Sequence, residues 1–177
     1  MKKIAFKKAI LSRNEVSLIK HYLEDVLDVP MVHLQFKKLV KTCFDELCIV
    51  YEDDENLDTV IYQGRWIAGI IGGDVFLSPW LYSSIYSMFG FKACIVVNKK
   101  ALEIFLYGGD IFASSITRFY EPIDNVVAVI DPRDNTVVGA AKPIVKGEML
   151  RKIINDKREE PVFKNLFDLG VFLREFG

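Results

Sequence analysis

The stretch Ala101-Leu-Glu-Ile-Phe-Leu-Tyr-Gly-Gly-Asp-Ile-Phe-Ala-Ser-Ser-Ile-Thr-Arg-Phe-Tyr-Glu121 places two glycines and an acid between apolar segments of the 177-residue chain. Its centre, Gly108 to Ser114, matches Gly72 to Ser78 at five of seven positions. A repeat, a phosphate-binding loop or turn chemistry used twice would each produce such a copy. The glycine patterns of nucleotide-binding loops do not occur, and the flanks of the two copies differ. Turn chemistry is therefore the favoured interpretation.

In the second half of the chain, several segments around this stretch have strand-like sequences. Asp110 is a predicted N-cap, because its carboxylate can accept from unpaired amides, for one or two helical turns from Ile111. The segment 161–176 is apolar but does not distinguish a strand from a helix. Strand-like apolar runs predict strands at 93–97 and 101–106, and a hairpin of 126–130 with 137–141.

The first half carries the clearest helix signal. Ser12 and Glu15 form a capping-box pattern, apolar residues then recur at helical spacing, and Pro30 stops the pattern. Ser78-Pro79 predicts the start of a second helix over 79–89, which Gly90 ends. Short strands are predicted at 47–51, 59–62, 66–71 and 74–77. A boundary at residues 90–92 then gives an α+β fold with two domains, 1–92 and 93–177.

Composition excludes several classes of protein. Apolar residues make up 51% of the chain, yet no run approaches the about 20 apolar residues of a membrane span. Three cysteines without a Cys-x-x-Cys pair predict reduced thiols in a cytoplasmic protein. Only His21 and His33 accompany them, so neither a zinc site nor a catalytic triad is predicted, and Glu52 to Glu55 is interpreted as a solvated acidic turn.

The charge is near neutral overall, at −1, but it is unevenly distributed. Residues 142–158 contain six basic residues and two acids. Such a stripe indicates either a limited nucleic-acid footprint or a solvated face, which is the commoner explanation of a charge run.

Three segments in order resemble one known family. They are Phe105-Leu-Tyr-Gly108 followed by Arg118 and Glu121, then Val137-Val-Gly-Ala-Ala-Lys142, and finally Asp168-Leu-Gly-Val-Phe-Leu-Arg-Glu175. Together they resemble the PUA domain of the NIP-seven (nuclear import protein seven) family of large-ribosomal-subunit biogenesis factors, in an archaeal version. The resemblance implies an N-terminal mixed α/β domain and a C-terminal PUA domain, which is a mixed β pseudo-barrel with short helices.

The resemblance also implies a function. It predicts a non-enzymatic, monomeric RNA-binding factor for pre-rRNA processing, without cofactor, metal or membrane contact. The N-terminal domain would contact ribosome assembly proteins, and a basic face of the PUA domain would bind single-stranded or structured rRNA through phosphates. The residues expected on that face are Arg151, Lys152, Lys157, Arg158, Lys142, Lys146 and Arg118.

Two alternatives stay open at this stage. PUA domains also hold RNA for methyltransferases and pseudouridine synthases, although about 90 residues before the PUA-like part are few for a methyl-donor fold and no glycine-rich donor loop is present. The chain could also be a protein-interaction module whose cations are scattered. Arg118 itself could contact RNA or pair with Glu121 three residues on.

Overall fold

The computed structural model describes residues 8–36, 38–53 and 65–171. The chain divides into two compact units, residues 1–81 and 82–177. The predicted domain limits, 1–92 and 93–177, stay a prediction. In the described residues, no helix is long and apolar enough to cross a membrane.

The first unit is a five-stranded antiparallel meander with a helix. Its strands follow one another in the order β1 to β5. The Ser12–Glu15 capping box is present at the start of α1, as predicted, and the helix passes into a π-helical turn, Tyr22–Val26. The predicted strand 59–62 lies outside the described residues. The elements are β1 (Lys8–Ile10), α1 (Arg13–His21), β2 (Leu39–Phe44), β3 (Leu47–Glu52), β4 (Trp66–Ile71) and β5 (Asp74–Leu77), with a 3-10 turn at Met31–Leu34.

Gly72 and Gly73 form the tight turn of the β4–β5 hairpin. Their φ values are 55° and 84°, in the left-handed region that this class of hairpin turn requires and that glycine adopts without a steric cost. Gly108, at φ 88°, ends a helix instead. The two copies therefore hold different turns, and the interpretation as turn chemistry is confirmed.

Cys43 and Cys48 are joined in a disulfide, so the prediction of reduced cysteines is wrong for this pair. The two-residue turn between β2 and β3 sets a register that places these residues directly opposite one another, which their spacing alone does not reveal. Cys94 is a free, buried thiol. Its burial raises the pKa of the thiol to about 12, which makes it an unreactive core residue at neutral pH.

Helix α2 (Pro79–Phe89) has the predicted limits. The Ser78 hydroxyl accepts from the amide of Leu81 at 3.2 Å, and the amide of Gly90 donates to the Tyr86 carbonyl at 3.0 Å.

The second unit contains a six-stranded mixed sheet in the order β7-β11-β10-β9-β6-β8. Only β6 and β9 pair in parallel among the described strands. The two strands at the ends of this order, β7 and β8, are consecutive in the chain and are joined by a three-residue 3-10 turn, so the sheet curls. Its elements are β6 (Cys94–Val97), α3 (Lys99–Leu106), β7 (Ile111–Phe112), β8 (Ile116–Tyr120), β9 (Val127–Ile130), β10 (Val137–Pro143), α4 (Gly147–Asn155) and β11 (Pro161–Asp168).

Two predictions in this unit are wrong. The predicted strand 101–106 is helix α3, which starts where the Asn98 side chain caps the amide of Ala101 at 2.9 Å. The residues after Asp110 form β7 rather than a helix, because Ile111 and Phe112 pair with β11. The Asp110 carboxylate accepts from the amide of Asn165 at 2.9 Å instead of capping a helix. The predicted hairpin is confirmed as β9 and β10.

Gly139 is where the sheet of the second unit is packed most closely. A Cβ atom there would lie 2.3 Å from the Phe167 carbonyl oxygen, 2.7 Å from the Phe105 ring and 2.9 Å from the Cα of Asp168. Two of these three neighbours are backbone atoms, which cannot rotate away. A larger residue at position 139 therefore requires β10 and β11 to separate.

We expect Gly139→Ala to lower the free energy of unfolding by about 3 kcal/mol, because it overpacks a closed backbone contact. The matched control is Gly147→Ala, which meets nothing within 4 Å but has φ +66°. Gly147→Ala should lower the free energy of unfolding by about 1 kcal/mol, the usual penalty for a non-glycine residue in the left-handed region. Urea denaturation followed by circular dichroism measures both. Equal losses would contradict the close approach at Gly139.

Candidate nucleic-acid interface

A groove of about 320 Å³ runs along β8 in the second unit. Five consecutive residues of the strand, 116–120, form one wall, and Ile154, Asn155 and Lys157 at the end of α4 form the other. Strand β8 ends the order of the described sheet, and we call the groove beside it the β8 groove. An edge strand beside a helix end presents polar backbone groups and side chains together.

Two of the predicted RNA-binding residues, Arg118 and Lys157, line the β8 groove. Arg118 lies opposite Val96 in the β6–β8 pair and its side chain is exposed. Lys157 lies two residues after the end of α4 with φ 53°, its amide donates to the Ile154 carbonyl at 3.1 Å, and its ammonium group donates to the Ile116 carbonyl. Neither cation has a carboxylate partner within the described ranges, so both charges are available to an anion.

Lys152 and Arg158 lie close to the groove along the chain but differ in their surroundings. Lys152 is exposed on α4, one turn before Asn155, and no ion pair involves it in the part of the chain that the structure describes. The Arg158 guanidinium lies 3.2 Å from the carboxylate of Asp156 and 3.7 Å from that of Glu160. Lys152 therefore adds charge to this end of α4, whereas the charge of Arg158 is largely balanced.

Arg151 is bound by the protein itself. Its guanidinium donates twice to the Glu121 carboxylate at 2.7 Å, once to Asp124 at 2.8 Å and once to the Gly147 carbonyl at 2.9 Å. Only 25% of the side chain is exposed. The hydrogen bonds that Arg151 donates to Asp124 and Glu121 raise the pKa of Arg151, and the hydrogen bond to Asp124 lowers the pKa of that carboxyl group. This network connects α4 to the loop after β8.

The pairing of Arg118 with Glu121 does not form. Residues three apart face one another on a helix, but this segment is extended, and Glu121 pairs with Arg151 instead. Of the other predicted residues, Lys146 precedes the first residue of α4, and Lys142 on β10 lies opposite Lys164 of β11. The seven predicted residues therefore do not form a single group, since only Arg118 and Lys157 line the β8 groove, and the role of all seven in RNA binding stays a prediction.

Three polar residues that line the groove, Thr117, Tyr120 and Asn155, were not predicted from the sequence. Period-two spacing from Arg118 would have found Tyr120, because alternate residues of a strand share a face. No local pattern identifies Asn155, because its place in the groove depends on how α4 packs beside β8. In the described part of the chain, no three His, Cys, Asp or Glu residues lie together in a way that could hold a metal ion.

Comparison with known proteins assigns the fold of the second unit. Residues 93–177 match the UPF0113 PUA domain. A UPF0113 protein of Archaeoglobus fulgidus is 35% identical over 79 residues, which cover 44% of this chain and 43% of that protein. The chain thus spans less than half the length of this curated relative. A PUA domain suggests RNA binding, and these matches are to a PUA-domain group with archaeal homologues. Membership of the NIP-seven family in particular stays a prediction.

Solved structures show the same fold at low sequence identity. A conserved PUA domain protein from Thermoplasma acidophilum is 15% identical with a TM-score of 0.63, covering 97% of this chain and 100% of that one. A hypothetical protein from Pyrococcus horikoshii is 14% identical with a TM-score of 0.68, over 92% and 94%. A PUA domain from Aeropyrum pernix, in a tartrate complex, is 16% identical with a TM-score of 0.61, over 97% and 91%. The mixed α/β fold with a curled PUA sheet is confirmed.

We expect Arg151→Gln to lower the free energy of unfolding by about 1–2 kcal/mol at pH 7, because it removes the charged hydrogen bonds of a side chain that is only 25% exposed. Lys152→Gln, one residue away and without an ion-pair partner in the described residues, should change the free energy of unfolding by less than about 0.5 kcal/mol. Urea denaturation of both variants measures the difference. Equal effects would contradict a structural role for Arg151.

The same network predicts a pH dependence. The pKa of Asp124 is lowered in the folded state, so its contribution to stability is present above the unfolded value of about 3.9 and is lost as the pH falls through the folded pKa. The stability difference between the wild type and Asp124→Asn should therefore be largest near pH 7 and shrink below about pH 4. A difference that stays constant from pH 7 to pH 3 would contradict the lowered pKa.

Proposed function

We propose that the second unit binds single-stranded RNA along the β8 groove. The observation that carries this proposal is the position of Arg118 and Lys157 in one groove, without carboxylate partners within the described ranges, in a segment that matches a PUA domain. A guanidinium and an ammonium group bind phosphate oxygens and fix the position of the RNA strand. Lys152 extends the cationic surface beside the groove.

The binding is modest and sensitive to salt. For single strands, the slope of log K against log salt is about −0.7 for each phosphate neutralised. Two cations that each neutralise one phosphate therefore give a slope of about −1.4. The net charge of −1 favours RNA binding at a limited patch of the protein and not over its whole surface. Arg151 contributes by holding α4 in place rather than through its charge.

The biological role that we propose is that of a non-enzymatic, monomeric, cytoplasmic factor that holds precursor rRNA during assembly of the large ribosomal subunit. The resemblance of residues 101–175 to the NIP-seven family supports this role. The first unit then supplies contacts with assembly proteins. Sequencing the RNA that crosslinks to the protein in cells tests the role, and enrichment of tRNA over large-subunit rRNA would contradict it.

We expect the double variant Arg118→Glu/Lys157→Glu to bind a fluorescein-labelled decamer of mixed sequence at least tenfold more weakly than the wild type. Its salt dependence should also become shallower by about 1.4 in slope, because two phosphate contacts are lost. The control is Lys164→Glu, an exposed lysine on β11 outside the groove. Fluorescence anisotropy measures all three proteins, and equal affinities for the double variant and the control would remove the groove assignment.

The absence of methyltransferase activity is tested separately. S-adenosylmethionine should leave the thermal midpoint of unfolding unchanged, since the proposed factor has no methyl-donor site. A concentration-dependent rise with a midpoint in the micromolar range would favour the RNA-modification alternative.

A further inference from the structure

A row of aromatic rings in the second unit ends in the β8 groove. Tyr82 and Tyr86 stack with ring centroids 5.7 Å apart, Tyr86 contacts Phe91 at 5.2 Å, and Phe91 contacts Tyr120 at 5.1 Å. Tyr82 is fully buried and Tyr86 nearly so, whereas Tyr120 is half-buried and lines the groove. The row therefore fixes Tyr120 from one side and leaves part of the residue exposed to the groove.

Tyr120 and Arg118 are spaced to bind adjacent parts of one ligand. The two residues alternate with Phe119, whose side chain packs against the core, so they share the outer face of β8 about 7 Å apart. Every base has an apolar face that stacks on an aromatic ring, and Arg118 lies where the phosphate of such a nucleotide would be bound.

Asn155 supplies a hydrogen-bonding group on the opposite wall. Its side chain is exposed at the end of α4, and its amide makes no hydrogen bond to another side chain or backbone group in the described ranges. An amide offers both a donor and an acceptor, which is what the polar edge of a base requires. The volume of about 320 Å³ lies within the usual range of small-ligand sites.

We propose that the β8 groove holds one unstacked RNA nucleotide. Its base stacks on Tyr120, its polar edge faces Asn155, and the adjoining phosphates bind Arg118 and Lys157. This inference rests on the proposed function and deepens it, because it makes binding depend on the bases as well as on the phosphates. An acidic peptide would use the same cations, but it has no flat ring system for Tyr120 and leaves the Asn155 amide without a matching edge.

The test compares two fluorescein-labelled decamers, one of mixed sequence and one of ribose phosphates without bases. The wild type should bind the abasic decamer about tenfold more weakly. Tyr120→Leu should weaken binding of the decamer with bases by about tenfold, equivalent to about 1.4 kcal/mol, and leave binding of the abasic decamer unchanged. Tyr120→Phe keeps the ring and should retain wild-type affinity, which separates stacking from folding.

The matched control is Tyr107→Leu, an aromatic residue that is 82% exposed and outside the groove. It should leave both affinities unchanged. Asn155→Ala should weaken only the decamer with bases, by about threefold, and an unchanged affinity would remove the contact with the base edge. The nucleotide site is overturned if the wild type binds both decamers equally, if Tyr120→Leu weakens both alike, or if decaglutamate competes as well as RNA. Failure of the wild type to bind either decamer would instead overturn the proposed function.

Discussion

The second unit depends on the ion-pair network of Arg151, which holds α4 beside the end of β8. One guanidinium joins Glu121 directly after β8, Asp124 in the following loop and the Gly147 carbonyl at the start of the helix. Because the β8 groove has the strand as one wall and the end of α4 as the other, its width depends on how the helix is held. Arg151, a predicted RNA contact, is thus bound by two carboxylates of its own chain, and we propose that it supports the site.

Carboxylate neighbours determine which cations are available for RNA. Arg151 and Arg158 lie in the same basic segment as Lys152 and Lys157, yet both arginines have acidic partners. The cations that line the β8 groove are instead Arg118, on a strand distant in sequence, and Lys157. The aromatic row holds the ring of Tyr120 at the same groove, where we propose that phosphate binding and base stacking occur together.

The sequence predicted several features that depend on caps, breakers and alternation, and missed those that depend on hairpin register and tertiary packing. The Ser12 capping box, the limits of α2 and the β9–β10 hairpin follow from caps, breakers and alternation. The segment 101–106 is a helix capped by Asn98, and its Ala, Leu and Glu residues favour that helix, whereas its apolar run alone predicts a strand. The Cys43–Cys48 disulfide depends on hairpin register and the Arg151 network on tertiary packing, and no local pattern encodes either.

The account is tested most directly by NMR titration of ¹⁵N-labelled protein with an unlabelled RNA decamer, observing backbone amides and arginine Nε–H groups together. We expect shifts of the amides of residues 116–120 and 154–157 and of the Arg118 Nε–H resonance. The Arg151 Nε–H, hydrogen-bonded to Glu121 at 2.7 Å, should stay unperturbed. Shifts confined to Arg151 and the first turn of α4, with β8 unaffected, would contradict it.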